Sequence, residues 1–156
     1  MSMELYVFSD QRLHSIRAWQ RVIDVEGFPL QLFDRIPFAS QQGALPVKFR
    51  EQSTAFECDH WNAREYMAEF PDRDYGRRWQ YALAFRWGAD PYAGAAAYLA
   101  GSAYAHATGG VVLDCEEGKI ISAARAAEIG FDIERGIPMI EAAVRKAVEH
   151  FRKTLP

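Results

Sequence analysis

The sequence predicts an α+β fold, a single domain over residues 1–156 with a mainly antiparallel sheet of about five to six strands covered by helices. Three observations lead there. The segments run strand, helix, several strands, helix, strand, helices, without the strict alternation that a parallel sheet requires. Residues 79–87 alternate, with Trp79, Tyr81, Leu83, Phe85 and Trp87 on one side and Gln80, Ala82, Ala84 and Arg86 on the other. The stretch after Pro91 is Ala- and Gly-rich and apolar all round, as a helix buried on more than one side is.

The elements follow in order. Leu5 to Phe8 reads as a short apolar strand, with Ser9-Asp10 offering the cap of the next helix. That helix sets Leu13, Ile16, Trp19 or Gln20, and Ile23 on one face. Gly27 supplies the left-handed residue after it, Phe28 folds back on Ile23, and Pro29 blocks continuation. Leu30 to Phe33 forms a second strand, and Asp34 to Gly43 a loop marked by Pro37, Ser40 and Gly43. Leu45, Val47 and Phe49, then Thr54, Phe56 and Cys58, alternate on either side of Glu51-Gln52-Ser53 and make a β-hairpin. Ala63 to Phe70 is a short helix stopped by Pro71. Asp90-Pro91 is a cap followed by a first-turn proline, and the helix it starts ends at Thr108-Gly109-Gly110. Val111 to Leu113 is a buried strand. Ser122 caps a short helix, Ala123 to Ile129, closed by Gly130. Pro138 opens a separate amphipathic C-terminal helix with Ile140, Val144, Ala147 or Val148, and Phe151 on one face.

Composition removes several function classes. The 156 residues carry 18 Lys and Arg against 21 Asp and Glu, a formal charge of −3, which lacks the basic surplus of a nucleic-acid binder. Arg73, Arg77 and Arg78 form a local trio that reads as a solvated face. No leader pattern follows Met1 and no strongly apolar run suits a membrane span, so neither a membrane nor export is expected. Two distant cysteines, Cys58 and Cys115, suit reduced thiols in a cytoplasmic protein.

Candidate chemistry is sparse. The four histidines have no helical zinc-pair spacing, and no metal or other cofactor is expected. Glu57-Cys58-Asp59-His60 would place Cys58 and His60 on one strand face, where a thiol beside an imidazole is either an activated nucleophile or a packed side chain. Asp114-Cys115-Glu116-Glu117 ends a strand beside Gly118, where Asp114 and Glu116 either form an acidic site or make a turn. His106 and Gly109-Gly110 suit a helix end better than a phosphate cradle. Twelve of the 21 aromatics lie between Phe56 and Tyr104. If Ala82 and Ala84 pack against the Ala-rich helix, the face with Trp79, Tyr81 and Trp87 is either closed by other helices or open, with Arg86 and Trp61 beside it, to a partner.

The opening Leu5–Phe28 unit, Gly43-Ala44-Leu45-Pro46-Val47, Thr54-Ala55-Phe56-Glu57-Cys58 and the run Ala103 to Asp114 resemble, in outline over about the first 125 residues, small α+β families of bacteria. Some of those families are immunity proteins that neutralise toxins. The resemblance implies a fold and a binding role and carries over no catalytic residue. The expected function is therefore a non-enzymatic binding protein. Its binding residues would come from Trp79, Tyr81, Trp87, Arg86, Trp61, Asp114 and Glu116, and its partner would be another protein or a second copy. The alternative is a small enzyme built around Cys58 and His60 or the Asp114–Glu117 turn, and a third reading gives the amphipathic C-terminal helix a role in homodimerisation.

Overall fold

In β1 (Met3–Ser9), Leu5 and Val7 alternate with Tyr6 and Phe8, and all four are buried, which places this strand inside a sheet covered on both faces. The computed structural model describes residues 2–156 and confirms the α+β class. The remaining strands are β2 (Leu30–Leu32), β3 (Ala44–Phe49), β4 (Gln52–Asn62), β5 (Tyr81–Trp87), β6 (Val111–Asp114) and β7 (Lys119–Ile121). They form one sheet in the order β2-β3-β4-β5-β1-β6-β7, and every neighbouring pair is antiparallel. The strand that periodicity misses is β7, because three residues are too few to show an alternation. The predicted hairpin exists, with β4 extending through His60 to Asn62.

Four helices cover the sheet: α1 (Ile16–Val25), α2 (Ala63–Glu69), α3 (Pro91–Thr108) and α4 (Ala123–Thr154). The cap of α1 is Ser15, whose hydroxyl accepts from the Ala18 amide, and not Ser9-Asp10. Ser9 instead bonds the Gln11 carbonyl, while Asp10 accepts from the Gln80 amide and pairs with Arg77, so both are used in tying loops together. The end of α1 is as expected. Gly27 has φ +74°, its amide bonds the Asp24 carbonyl, and the Phe28 amide bonds that of Ile23. Ile16, Trp19 and Ile23 face the sheet, whereas Gln20 reaches sideways to edge strand β2. Its amide nitrogen donates to the Leu30 carbonyl at 2.8 Å and its oxygen accepts from the Leu32 amide at 2.7 Å.

The face assignment for β5 is reversed. Leu83, Phe85 and Trp87 pack, with Leu5, Val7, Phe56 and Cys58, beneath the Ala-rich helix α3. Ala82 and Ala84 share the other face with Tyr6, Phe8, Tyr66, Tyr75 and Trp79, under α2 and the loop after it. The physical reason lies in volume. A helix sandwiched between a sheet and another helix has room for large residues on only one partner, so the sheet supplies them and α3 supplies Ala and Gly. Tyr6 and Phe8 then fill the opposite face over the small Ala82 and Ala84, with which they are paired across β1 and β5. Trp79 does not belong to β5, which begins at Tyr81.

α3 is buried on almost every side because α4 crosses its outer surface. Its Asp90 cap, first-turn Pro91 and left-handed Gly109 match expectation. The two separate helices predicted after Ser122 are one helix of 32 residues, about 48 Å long. Gly130 does not end it. Gly130 faces α3 so closely that a Cβ there would stand 3.0 Å from Leu99 Cγ and 3.2 Å from the Ala95 carbonyl, so its missing side chain serves helix approach. Pro138 does not start a helix; it lies exposed within one, where the hydrogen bond it removes is replaceable by water. Packing of the first half of α4 against α3 holds the helix through both residues.

Candidate functional site

Of the two states that periodicity leaves for the aromatics of residues 79–87, closed or open, the structure has Trp79 and Trp87 closed. Trp87 is buried at the end of β5, edge-on to Tyr98 of α3 with ring centroids 5.5 Å apart, and Gly94 leaves room for its indole. Trp79 is buried on the opposite face, its indole N–H donating to the Tyr75 carbonyl at 2.9 Å and Arg77 lying over its ring. Neither is available to a partner in this fold. Tyr81 is half-buried under the Arg12 guanidinium, 4.1 Å from its ring centre. Arg86 is exposed and paired with Glu4 at 3.0 Å and Glu57 at 3.9 Å. Trp61 alone of the four tryptophans is exposed, at 44%.

The acidic turn is structural at its first residue. Asp114 is 1% exposed and ends β6, with its side chain turned to α3. Its Oδ1 accepts from the Tyr98 hydroxyl at 2.9 Å and from the Glu116 amide at 3.0 Å. Burial, followed by the Asp114 charge, raises the Tyr98 phenol far above its usual range, so Tyr98 remains a donor to that carboxylate. Glu116 points outward, and Glu117 pairs with Lys119 and Arg125. Asp114 and Glu116 therefore do not converge on a cleft. Cys115, next to them, is half-buried and its thiol is pushed up to about 11, first by burial.

Cys58 and His60 share a face of β4, as alternation requires, but not an environment. Cys58 is fully buried, and burial first and Asp59 second push its thiol well above the ordinary range. His60 is half-buried; its Nε2–H donates to the Phe38 carbonyl at 2.8 Å, and its ring packs edge-on to Phe38. Burial is the main cause holding this imidazole below its usual range, against the raising effect of the Phe38 bond. It lines a polar cleft of about 500 Å³ with Asp10, Arg12, His14 and Tyr81, and Cys58 does not reach that cleft. The absence of a thiolate beside the imidazole is testable. In the folded protein Cys58 resists a thiol reagent at neutral pH for as long as the core stays closed, and labels at once in denaturant. Mass-spectrometric mapping that finds rapid Cys58 modification under native conditions contradicts this.

The open apolar surface lies on the face of the C-terminal helix for which the sequence offers dimerisation as a further reading. Along the first half of α4, Ala126, Gly130 and Ile137 are buried, Gly130 directly against Ala95 and Leu99 of α3. Past Pro138 the helix overhangs the body, and Ile140, Val144, Val148, Phe151 and Leu155 are all exposed, Phe151 at 63%. At spacings of three and four residues they form one continuous stripe. A groove of about 700 Å³ separates the near end of the stripe from Pro91 and Tyr92 at the start of α3. Tyr92 closes its floor by donating to Glu141 at 3.0 Å. Single exposed apolar residues are ordinary; a stripe along an overhanging helix is the surface feature that marks an interaction site.

Among the described residues, no helix is long and apolar enough to cross a membrane, and no three His, Cys, Asp or Glu side chains gather closely enough to hold a metal ion. No family model, curated protein or solved structure matches the chain.

Proposed function

We propose that this is a non-enzymatic binding protein whose working surface is the overhanging half of α4 together with the groove against the start of α3. The observation that carries the reading is the stripe Ile140–Leu155, held clear of the body by a helix whose first half is locked in the core. A helix anchored at one end and apolar along its free end suits recognition of another helix or an apolar protein groove. The binding role implied by the resemblance to immunity families is of the same kind, with the surface moved from the sheet to the helix. Capture from cell extract by wild type and by a Val144→Glu/Phe151→Glu variant tests it. Both positions are exposed, so the variant keeps the wild-type melting temperature. Species retained by wild type, own chain included, are lost by the variant. Identical capture by the two proteins overturns the reading.

A further inference from the structure

The stripe is flanked on the groove side by a row of charges: Glu141, Arg145, Glu149 and Arg152. The signs alternate along the helix. Such a row read backwards presents the opposite sign at each place, so it complements itself only when two copies run antiparallel. We infer that the partner of this surface is a second copy of the chain, packed antiparallel about a two-fold axis passing near Ala147. The inference rests on the α4 surface proposed above and names its occupant.

The charge row and the apolar stripe fix the same axis. Setting Glu141 opposite Arg152 of the second copy puts the two-fold between residues 146 and 147, and Arg145 opposite Glu149 puts it at 147. Setting Ile140 opposite Leu155 and Val144 opposite Phe151 puts it between 147 and 148, within one residue of the first. In an antiparallel helix pair the same flank of each helix meets its counterpart, so the charge rows face each other while the stripes bury each other. A parallel pair brings opposite flanks together, so the two charge rows lie on opposite sides of the pair and neither meets a complement. The groove has an occupant in the antiparallel arrangement. Phe151 and Leu155 of each copy arrive beside Ile140 and Val144 of the other, next to Pro91 and Tyr92, where the open volume of about 700 Å³ lies. The most exposed aromatic of the stripe thereby fills the largest gap beside it.

Light scattering and sedimentation from roughly 1 µM to 1 mM chain should show exchange between a 17.7 kDa monomer and a species of twice that mass. Arg145→Glu and Glu149→Arg each place like charges together twice per dimer. Each singly weakens association roughly tenfold, and the double reversal restores it. Ala147→Cys, in a Cys115→Ser background, forms an inter-chain disulfide under mild oxidation. Ile140→Cys does not, because two copies of residue 140 lie about 20 Å apart in the antiparallel pair. A chain that stays monomeric throughout overturns the inference, as does a double reversal no better than the weaker single variant, or cross-linking through residue 140. If the chain is monomeric but the Val144→Glu/Phe151→Glu variant still loses what wild type captures, the second copy falls and the α4 surface stands. If both results are negative, both fall.

Discussion

Trp19→Ala lowers the unfolding free energy by about 4 kcal/mol, the upper part of the range for large core truncations. Trp19 is the largest side chain sealed completely from solvent. It projects from the middle of α1 into the meeting point of three elements, edge-on to Phe85 of β5 and to Tyr104 of α3, and tilted against Phe38 of the β2–β3 connection. Its indole N–H donates to the Ala100 carbonyl at 3.0 Å, fixing α1 across α3. The truncation removes the packing volume and the bond together, and the surrounding rings cannot collapse far, since each is anchored in a different element. For a chain of this length the melting temperature should fall by roughly 8–16 °C. Trp19→Phe keeps most of the apolar surface and loses the hydrogen bond, at about 1–2 kcal/mol. Urea unfolding of both variants checks the ordering. Trp19→Ala within 1 kcal/mol of wild type, a bound below even the mildest expected loss, contradicts this account of the core.

Gly110→Ala is destabilising by about 3 kcal/mol, although the neighbouring Gly109→Asn costs only a few tenths. The two glycines serve different needs. Gly109 holds φ +66° with nothing within 4 Å of where its Cβ would be, so any residue that tolerates the left-handed region suffices. Gly110 meets the backbone of β1. A Cβ there would stand 2.3 Å from the Phe8 carbonyl oxygen and 3.1 Å from Ser9 Cβ. A carbonyl in a sheet interior cannot swing aside as a side chain can, so relief requires parting β6 from β1 at the Phe8–Val111 pair. The test is a pair of melting curves, and equal stability of the Gly110→Ala and Gly109→Asn proteins rules the explanation out.

Local chemistry made most elements legible. The Gly27 and Gly109 ends, the Asp90-Pro91 start and the β3–β4 hairpin each depend on residues within one turn of the feature. What failed depends on contacts distant in sequence. Gly130 and Pro138 carry ordinary helix-breaking signals, and only the surface of α3 reveals that the chain continues through both. Ser9 and Ser15 are equally good caps in isolation, and the pairing of β1 with β5 as far as Ser9 and Tyr81 decides between them. The β5 faces were inverted for a related reason: alternation separates two sets of side chains but does not say which set meets which helix.

The candidate site shows the same division. Alternation correctly put Cys58 and His60 on one side of β4, yet the depth that seals one and leaves the other at a cleft comes from Phe38, twenty residues upstream. Trp79 and Trp87 looked like one face because they stand eight apart, whereas one lies in a loop on the far side of the sheet. The α4 stripe was legible as an amphipathic face. That it lacks a covering element could be known only once α3 was seen to be saturated by the first half of the same helix.

The carboxamide of Gln20 has a meaning beyond the bond lengths. By taking the Leu30 carbonyl and the Leu32 amide together, it occupies the boundary of the sheet as a single peptide group of an eighth strand would. A sheet finished in this way offers no template to a neighbouring chain, and the far boundary, β7, is only three residues long and begins with a lysine. Growth by strand addition, the route toward fibrils, is thus blocked at one end by a side chain imitating the backbone. The molecule thus limits pairing at its sheet edges and leaves its open apolar surface on the second half of α4.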